Sequence, residues 1–283
     1  PMKWVGYIFV PVVLIWVITA IITGGSDLNS ETTEIPDALK SKPNIVMIMC
    51  DALRADHLGS YGYVKAHTPV MDELADNGIR FHEAYAQSSW TKPGTATLFT
   101  AKYPSGHKTF LKPDILPDDV VTIAEVLDDA GYYTVGFPNN INISPSFNFG
   151  QGFDEYTYLA PDYFFGANES TNKLTYYSIL RKIREGFLVK SKHPQHYYQE
   201  AKVVNEYVAE YLERRGTKDR FFLYLHYMEP HDPFFKHPFN GVGYARVSMP
   251  NPDPSWADEF RNAYDQEITY MDQRIGELFE MLK

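Results

Sequence analysis

Cysteine is almost absent from this chain: Cys50 is the only one among 283 residues. A single thiol excludes an internal disulfide framework and a zinc site built from cysteines. Positive charge is also scarce. Lys plus Arg number 26 against 36 for Asp plus Glu, a formal net charge of −10. An acidic balance of this size argues against a general nucleic-acid binder. Internal repeats and low-complexity tracts are missing as well. What is present is apolar: 44% hydrophobic and 15% aromatic residues. That composition excludes a disordered chain, a collagen and a coiled coil, and provides a sizeable core for one large domain or two small ones.

Trp4 to Ile22 carries no charged residue and is 19 residues long, close to the roughly 20 needed to span a bilayer. It reads as a single-pass anchor, a signal segment or, less in keeping with the polar stretch that follows, a buried core helix. Lys3 places the N-terminus on the cytoplasmic side. Ser26 to Lys42 is polar and reads as a linker. The expected organisation is therefore an anchor or signal segment over 1–25, a linker over 26–42 and a globular domain over 43–283. Either export reading puts that domain outside the cytoplasm, held at the membrane through residues 4–22 or secreted. Ile275 to Lys283 runs in helical pattern without a stop signal, and the chain is expected to be a fragment lacking its C-terminal part.

Within the domain, strands and helices alternate. Asn44–Cys50, Tyr132–Phe137 and Phe221–His226 are apolar runs expected of buried strands. Ile79–Ala84 reads as a further short strand. Helices are expected from Thr68 (as N-cap) to Asn77, and over Pro93–Ala101, Val121–Ala130, Gln195–Arg215 and Ala257–Lys283. The pattern predicts an α/β fold, a mainly parallel sheet with helices on both faces. The stretch from Asn139 to Pro194 reads as an insertion of long loops, with a glycosylation sequon at Asn168-Glu169-Ser170.

Ligands in such sheets bind beyond the C-terminal strand ends, so the residues there matter most. Asp51 follows the first buried strand; a carboxylate there either binds a metal, pairs with Arg54 or caps a turn. His226 ends the last strand and His231 follows in the same loop, as site residues or as satisfied partly buried imidazoles. Thr91 stands just before a helix begun by Pro93, where a hydroxyl faces oriented N–H groups or simply caps the helix. Cys50 reads as a small buried residue, and His57 and His107 as structural.

In this order the segments NIVMIMCDALRADHLGSYGY, TPVMDELADNGIRFHEAYAQSSWTKPGTATLFTAKYPSGH, TIAEVLDDAGYYTVGF, FGQGFDEY, FFLYLHYMEPHDPF and YDQEITYMDQRIGELFEMLK resemble successive blocks of the sulfatase family of the alkaline phosphatase superfamily. The resemblance runs from Lys42 to Lys283. It implies Asp51 as a ligand to one or two divalent metal ions (Ca, Mg, Mn or Zn). It places Thr91 where sulfatases carry the Cys or Ser that becomes formylglycine, as nucleophile and second metal ligand. His231 falls where the family contacts the substrate's anionic group. Asn140, His226 and Lys92 are further substrate-contact candidates, Lys92 being otherwise a solvated lysine.

The chain departs from the family pattern in three ways. Thr91 cannot mature to formylglycine. The family's Arg after the nucleophile is Thr95 here. The strand bearing Asp-His metal ligands is not in the sequence. The resemblance therefore implies a metal-dependent hydrolase or transferase acting on sulfate or phosphate esters through threonine. Its partner would be an anionic ester, such as a glycan or lipid head group. A transferase of phosphoethanolamine or glycerol phosphate to envelope glycans, and an inactive binding protein of the same fold, are the alternatives.

Overall fold

The computed structural model describes residues 42–161, 197–215, 220–237 and 253–283, together with positions 176, 179, 180, 183, 239, 243 and 244. The apolar segment 4–22, the linker up to residue 41 and the sequon at 168–170 lie outside the described residues. Among the described residues no helix is long and apolar enough to cross a membrane.

Strand β1 (Ile45–Cys50) leads to helix α1 (Pro69–Asn77) and helix α2 (Thr91–Thr100). Helix α3 (Ile123–Asp129), strand β2 (Tyr133–Phe137) and the short strand β3 (Glu155–Tyr156) follow. Helix α4 (Ala201–Arg215), strand β4 (Phe221–Tyr227) and helix α5 (Ala257–Met281) complete the main body. The sheet order is β1-β4-β2-β3, and all three pairings are parallel. The expected α/β architecture is present.

Burial explains the arrangement. Along β4, Phe221, Leu223, Leu225 and Tyr227 pack on one face with Val204 and Val208 of α4 and Met271, Ile275 and Leu278 of α5. Phe222 and Tyr224 point the other way, into a cluster with Ala96 and Phe99 of α2 and Ala124 of α3. Both faces are thus covered by helices. Every residue of β4 is buried, which is why its sequence shows a continuous apolar run rather than alternation.

Four expectations are corrected. Ile79–Ala84 is not a strand; Ile79 is 85% and Phe81 68% exposed. A strand needs a neighbour for its ladder, and the described residues provide none there. Thr68 makes no side-chain cap on α1; its hydroxyl instead donates to Asp72 Oδ2 at 3.1 Å. Helix α3 begins later than expected because Thr122 and Glu125 form a capping box, satisfying two free N–H groups reciprocally. Helix α4 begins at Ala201, with Tyr198 to Glu200 outside it.

Candidate active site

The C-terminal ends of β1, β2 and β4 converge on one cluster, as register dictates: Cys50 of β1 pairs with Tyr227 of β4. Asp51, immediately after β1, donates its N–H to Tyr227 O at 2.9 Å. This continues the ladder by one residue and fixes the carboxylate at the strand end. The turn beyond it is unusual. Ala52 has φ +61°, a left-handed conformation that costs an alanine roughly 1–2 kcal/mol. Helix α5 holds the turn in place: the Tyr264 hydroxyl donates to Ala52 O at 2.7 Å and accepts from Arg54 N at 2.9 Å. Arg54 itself pairs with Asp56, not with Asp51.

Thr91 is the first residue of α2, and its side chain does not cap the helix; the residue at the cap position is Trp90. The Thr91 hydroxyl donates instead to Asp51 Oδ2 at 2.8 Å, a contact buried between residues 40 apart in sequence. Asn140, after β2, places its amide 3.4 Å from both Asp51 Oδ2 and Thr91 Oγ1. Its own Oδ1 accepts from Asn142 N at 3.0 Å, which holds the amide in that orientation.

His226 ends on the same face as Tyr224, fully buried. Asn139 N–H donates to its Nδ1 at 3.3 Å, which leaves Nε2 as the ring's donor nitrogen. Nε2 lies 3.4 Å from Asp51 Oδ2, near enough for attraction but without the alignment of a hydrogen bond. Burial pushes the Asp51 pKa up, but the nearby His226, His231 and the Thr91 hydroxyl outweigh it and bring it down to about 2. Asp51 is therefore ionised at neutral pH.

Asp51, Thr91 and His231 line one cavity of about 500 Å³, walled also by Ser88, Trp90 and Leu98. The His231 ring is held through Nδ1, 2.7 Å from Asp232 O. Two candidates stand elsewhere. His226 lies behind Asp51 with no exposure, beneath the carboxylate and outside the cavity lining. Lys92 is neither solvated nor in the cavity. It is fully buried, donates to the carbonyls of Lys112 and Asp114 and sits over the Phe147 ring. Thr95, at the position of the family's Arg, is buried and donates to Met49 Sδ at 3.5 Å. Neither residue supplies a cation to the cavity.

His57 and His107 are held structurally. His57 Nδ1 lies 2.6 Å from Asp265, and His107 bonds Thr97 and Thr109. Part of Cys50 reaches the surface, but its thiol is enclosed, and burial, then Glu229 and Asp51, push its pKa up to about 12. Such a thiol is inert. Sequence reasoning missed Tyr264, whose signal was only its place on the apolar stripe of α5.

The family-implied metal can be tested against these residues. An ionised carboxylate and a hydroxyl 2.8 Å apart at a cavity wall fit a divalent ion that prefers oxygen. By themselves they do not complete a site: among the described residues no cluster of three His, Cys, Asp or Glu is placed to hold a metal.

A family model described as Sulfatase matches residues 43–283. The chain belongs to the sulfatase family. It is similar to arylsulfatase A of Bos taurus, 41% identical over 103 residues, 34% of this chain and 20% of that protein. It is also similar to an N-acetylgalactosamine-6-O-sulfatase of Bacteroides thetaiotaomicron, 39% identical over 98 residues, 33% of this chain and 19% of that one. The fold is shared with the phosphonate monoester hydrolase of Agrobacterium radiobacter, TM-score 0.59 at 18% identity, over 85% of this chain and 59% of the other. The matched region is thus about one fifth of the length of these curated relatives.

Proposed function

We propose that this chain carries the nucleophile half of the active site of a metal-dependent hydrolase or transferase, that Thr91 is its nucleophile, and that phosphate esters are its preferred substrates over sulfate esters. The observation that carries the reading is the Thr91–Asp51 contact at 2.8 Å, which turns a helix-terminal hydroxyl toward an ionised carboxylate instead of toward its own helix. Asp51 and Thr91 would hold the ion. A divalent ion there would lower the pKa of the Thr91 hydroxyl and offset the charge of the ester.

This chain's residues then have distinct roles. Asp51 receives the hydroxyl hydrogen bond and orients Oγ1 toward the cavity. Asn140 holds both oxygens from the side. Oγ1 gives up its proton to water in the cavity and forms a bond to the phosphorus while the ester oxygen leaves; the leaving oxygen takes a proton from His231, and the water or acceptor hydroxyl of the second step returns one to it. Water then breaks the Thr91–phosphorus bond, or an acceptor hydroxyl does so in a transferase. The preference for phosphorus rests on the absence of a second hydroxyl on threonine, the group by which a formylglycine hydrate expels sulfate. A glycan or lipid head group as the ester carrier, and anchoring outside the cytoplasm through residues 4–22, belong to the same proposal.

The test is turnover of matched phosphate and sulfate esters by the full-length protein with added Ca, Mg, Mn or Zn. Mass spectrometry would read the 91-containing peptide for phosphothreonine. Phosphate turnover with a phosphorylated Thr91 is expected. Sulfate turnover alone would sink the preference for phosphorus, and inactivity throughout would favour a binding protein.

A further inference from the structure

His226 sits directly behind Asp51 with no exposure, and the proposed reaction gives it no task. Every residue of β4 is buried, and the others are Phe, Leu and Tyr. An imidazole in such a strand costs desolvation unless its polar atoms are used. Nδ1 is used, as the acceptor for Asn139 N–H at 3.3 Å. Nε2 is buried and makes no hydrogen bond, yet it lies 3.4 Å from Asp51 Oδ2. Buried polar groups without a partner are rare, and each needs a reason.

The ring is held from behind. The Asn139 side chain clasps the backbone of Gln199, just before α4: its Oδ1 accepts Gln199 N–H at 2.9 Å and its Nδ2 donates to Gln199 O at 2.6 Å. Gln199 is anchored in turn, its Nε2 donating to Ala160 O at 2.7 Å. The N–H that Asn139 presents to Nδ1 is therefore fixed, and Nε2 is left as the donor facing Asp51. The groups around that carboxylate are unevenly shared. Thr91 Oγ1 at 2.8 Å, Asn140 Nδ2 at 3.4 Å and His226 Nε2 at 3.4 Å all stand at Oδ2. Among the described residues no side chain donates to Oδ1, although Asp51 lines the cavity.

We propose that His226 is a positioning residue: its Nε2–H, aimed by Asn139, attracts Oδ2 from behind and keeps it turned inward, so that Oδ1 is the oxygen Asp51 offers to a cation in the cavity. The reserve donor has a use when Thr91 reacts. A threonine oxygen bonded to phosphorus no longer donates to Asp51, and Oδ2 loses its shortest contact. Asn140 and the Nε2–H are the donors that remain, and a buried N–H with no other partner gains by closing on the oxygen left free. That last step rests on the function proposed above; the orientation of the carboxylate does not.

The experiment compares wild type, His226→Leu and His226→Gln in the full-length protein. Leucine fills the strand position without a donor, whereas the glutamine amide reaches the place of Nε2–H. Nitrogen NMR of the metal-free wild type is expected to show the ring proton on Nε2 and none on Nδ1. The opposite tautomer overturns the proposal, and this reading needs no variant to fold. Metal-free crystal structures are expected to show the Asp51 carboxylate rotated and its Thr91 contact lengthened in His226→Leu, with both kept in His226→Gln. An unmoved carboxylate in the leucine variant overturns it. Calorimetric titration with Mg or Mn should give an affinity about 10–100-fold weaker for His226→Leu, largely restored by glutamine. Leucine and glutamine variants equally weakened would reduce His226 to packing and overturn its donor role. Wild type that binds neither ion would sink the proposed function, and the tautomer and the carboxylate orientation would still decide the role of His226.

Discussion

Thr91 and Asp51, 40 positions apart, meet through a buried 2.8 Å hydrogen bond at the end of a strand and the start of a helix. This contact separates two roles that a threonine at a helix start can play. A capping hydroxyl turns back to the N–H groups of its own helix; Thr91 turns away from them.

Thr91→Ala is expected to abolish ester turnover in the full-length protein, while Thr91→Ser retains a measurable rate. Loss of a hydrogen bond to an ionised group costs about 1.5–3 kcal/mol, so the alanine variant stays folded. Steady-state kinetics beside circular dichroism melting checks both halves. Alanine activity equal to wild type would remove the hydroxyl from the mechanism.

Asp51→Asn is expected to weaken divalent-ion binding, read by titration calorimetry. It also predicts a pH effect of known sign. Asp51 is held near pKa 2, below its ordinary 3.8. Its stabilising share is therefore present above the ordinary value and disappears as pH falls through the folded one. The difference in melting temperature between wild type and Asp51→Asn should be largest above pH 4 and should shrink towards pH 2.

Tyr264→Phe removes one donor and one acceptor from the turn at Ala52 and Arg54. Two lost hydrogen bonds cost about 1–3 kcal/mol in all. A left-handed Ala52 held less firmly also predicts weaker metal binding without any contact between Tyr264 and the ion. Calorimetry at constant ionic strength should show lower affinity. Unchanged affinity with lower stability would confine Tyr264 to the scaffold.

Gly152→Ala should be far more damaging than Gly62→Ala, although both glycines have positive φ. A Cβ on Gly152 would lie 2.4 Å from the backbone N of Glu125, whereas one on Gly62 meets nothing within 4 Å. The first change adds a clash at the capping box of α3 to the left-handed penalty of about 1–2 kcal/mol; the second carries the penalty alone. Comparative denaturant melts decide it.

Much of the sheet was legible before any coordinates. Phe221–His226 and most of Tyr132–Phe137 are apolar because both faces of those strands are covered, and burial on both faces writes itself into consecutive residues. Ile45–Cys50, expected to be buried, is half-buried throughout, packed by alternate residues against the two core clusters. Ile79–Ala84 misled because its residues suit a strand while nothing described pairs with it. Apolar content is local, but a ladder requires a neighbour.

The site divides in the same way. Asp51, Thr91 and His231 could be singled out by their places after strands and before a helix, and by family resemblance. Lys92 and His226 could not be placed. Lys92 stands one residue from Thr91, yet a helical step of about 100° sends its ammonium to carbonyls of another loop. His226 is separated from the cavity by the carboxylate it underlies. Tyr264 bears on the site from α5, and no spacing in the sequence announces a contact made across more than 200 residues. Order, period and burial come from the chain itself, because they depend on which residues must leave water. Which hydroxyl meets which carboxylate, and which lysine is drawn away from the cavity, depends on how strands align and helices cross, and only the folded structure decides that.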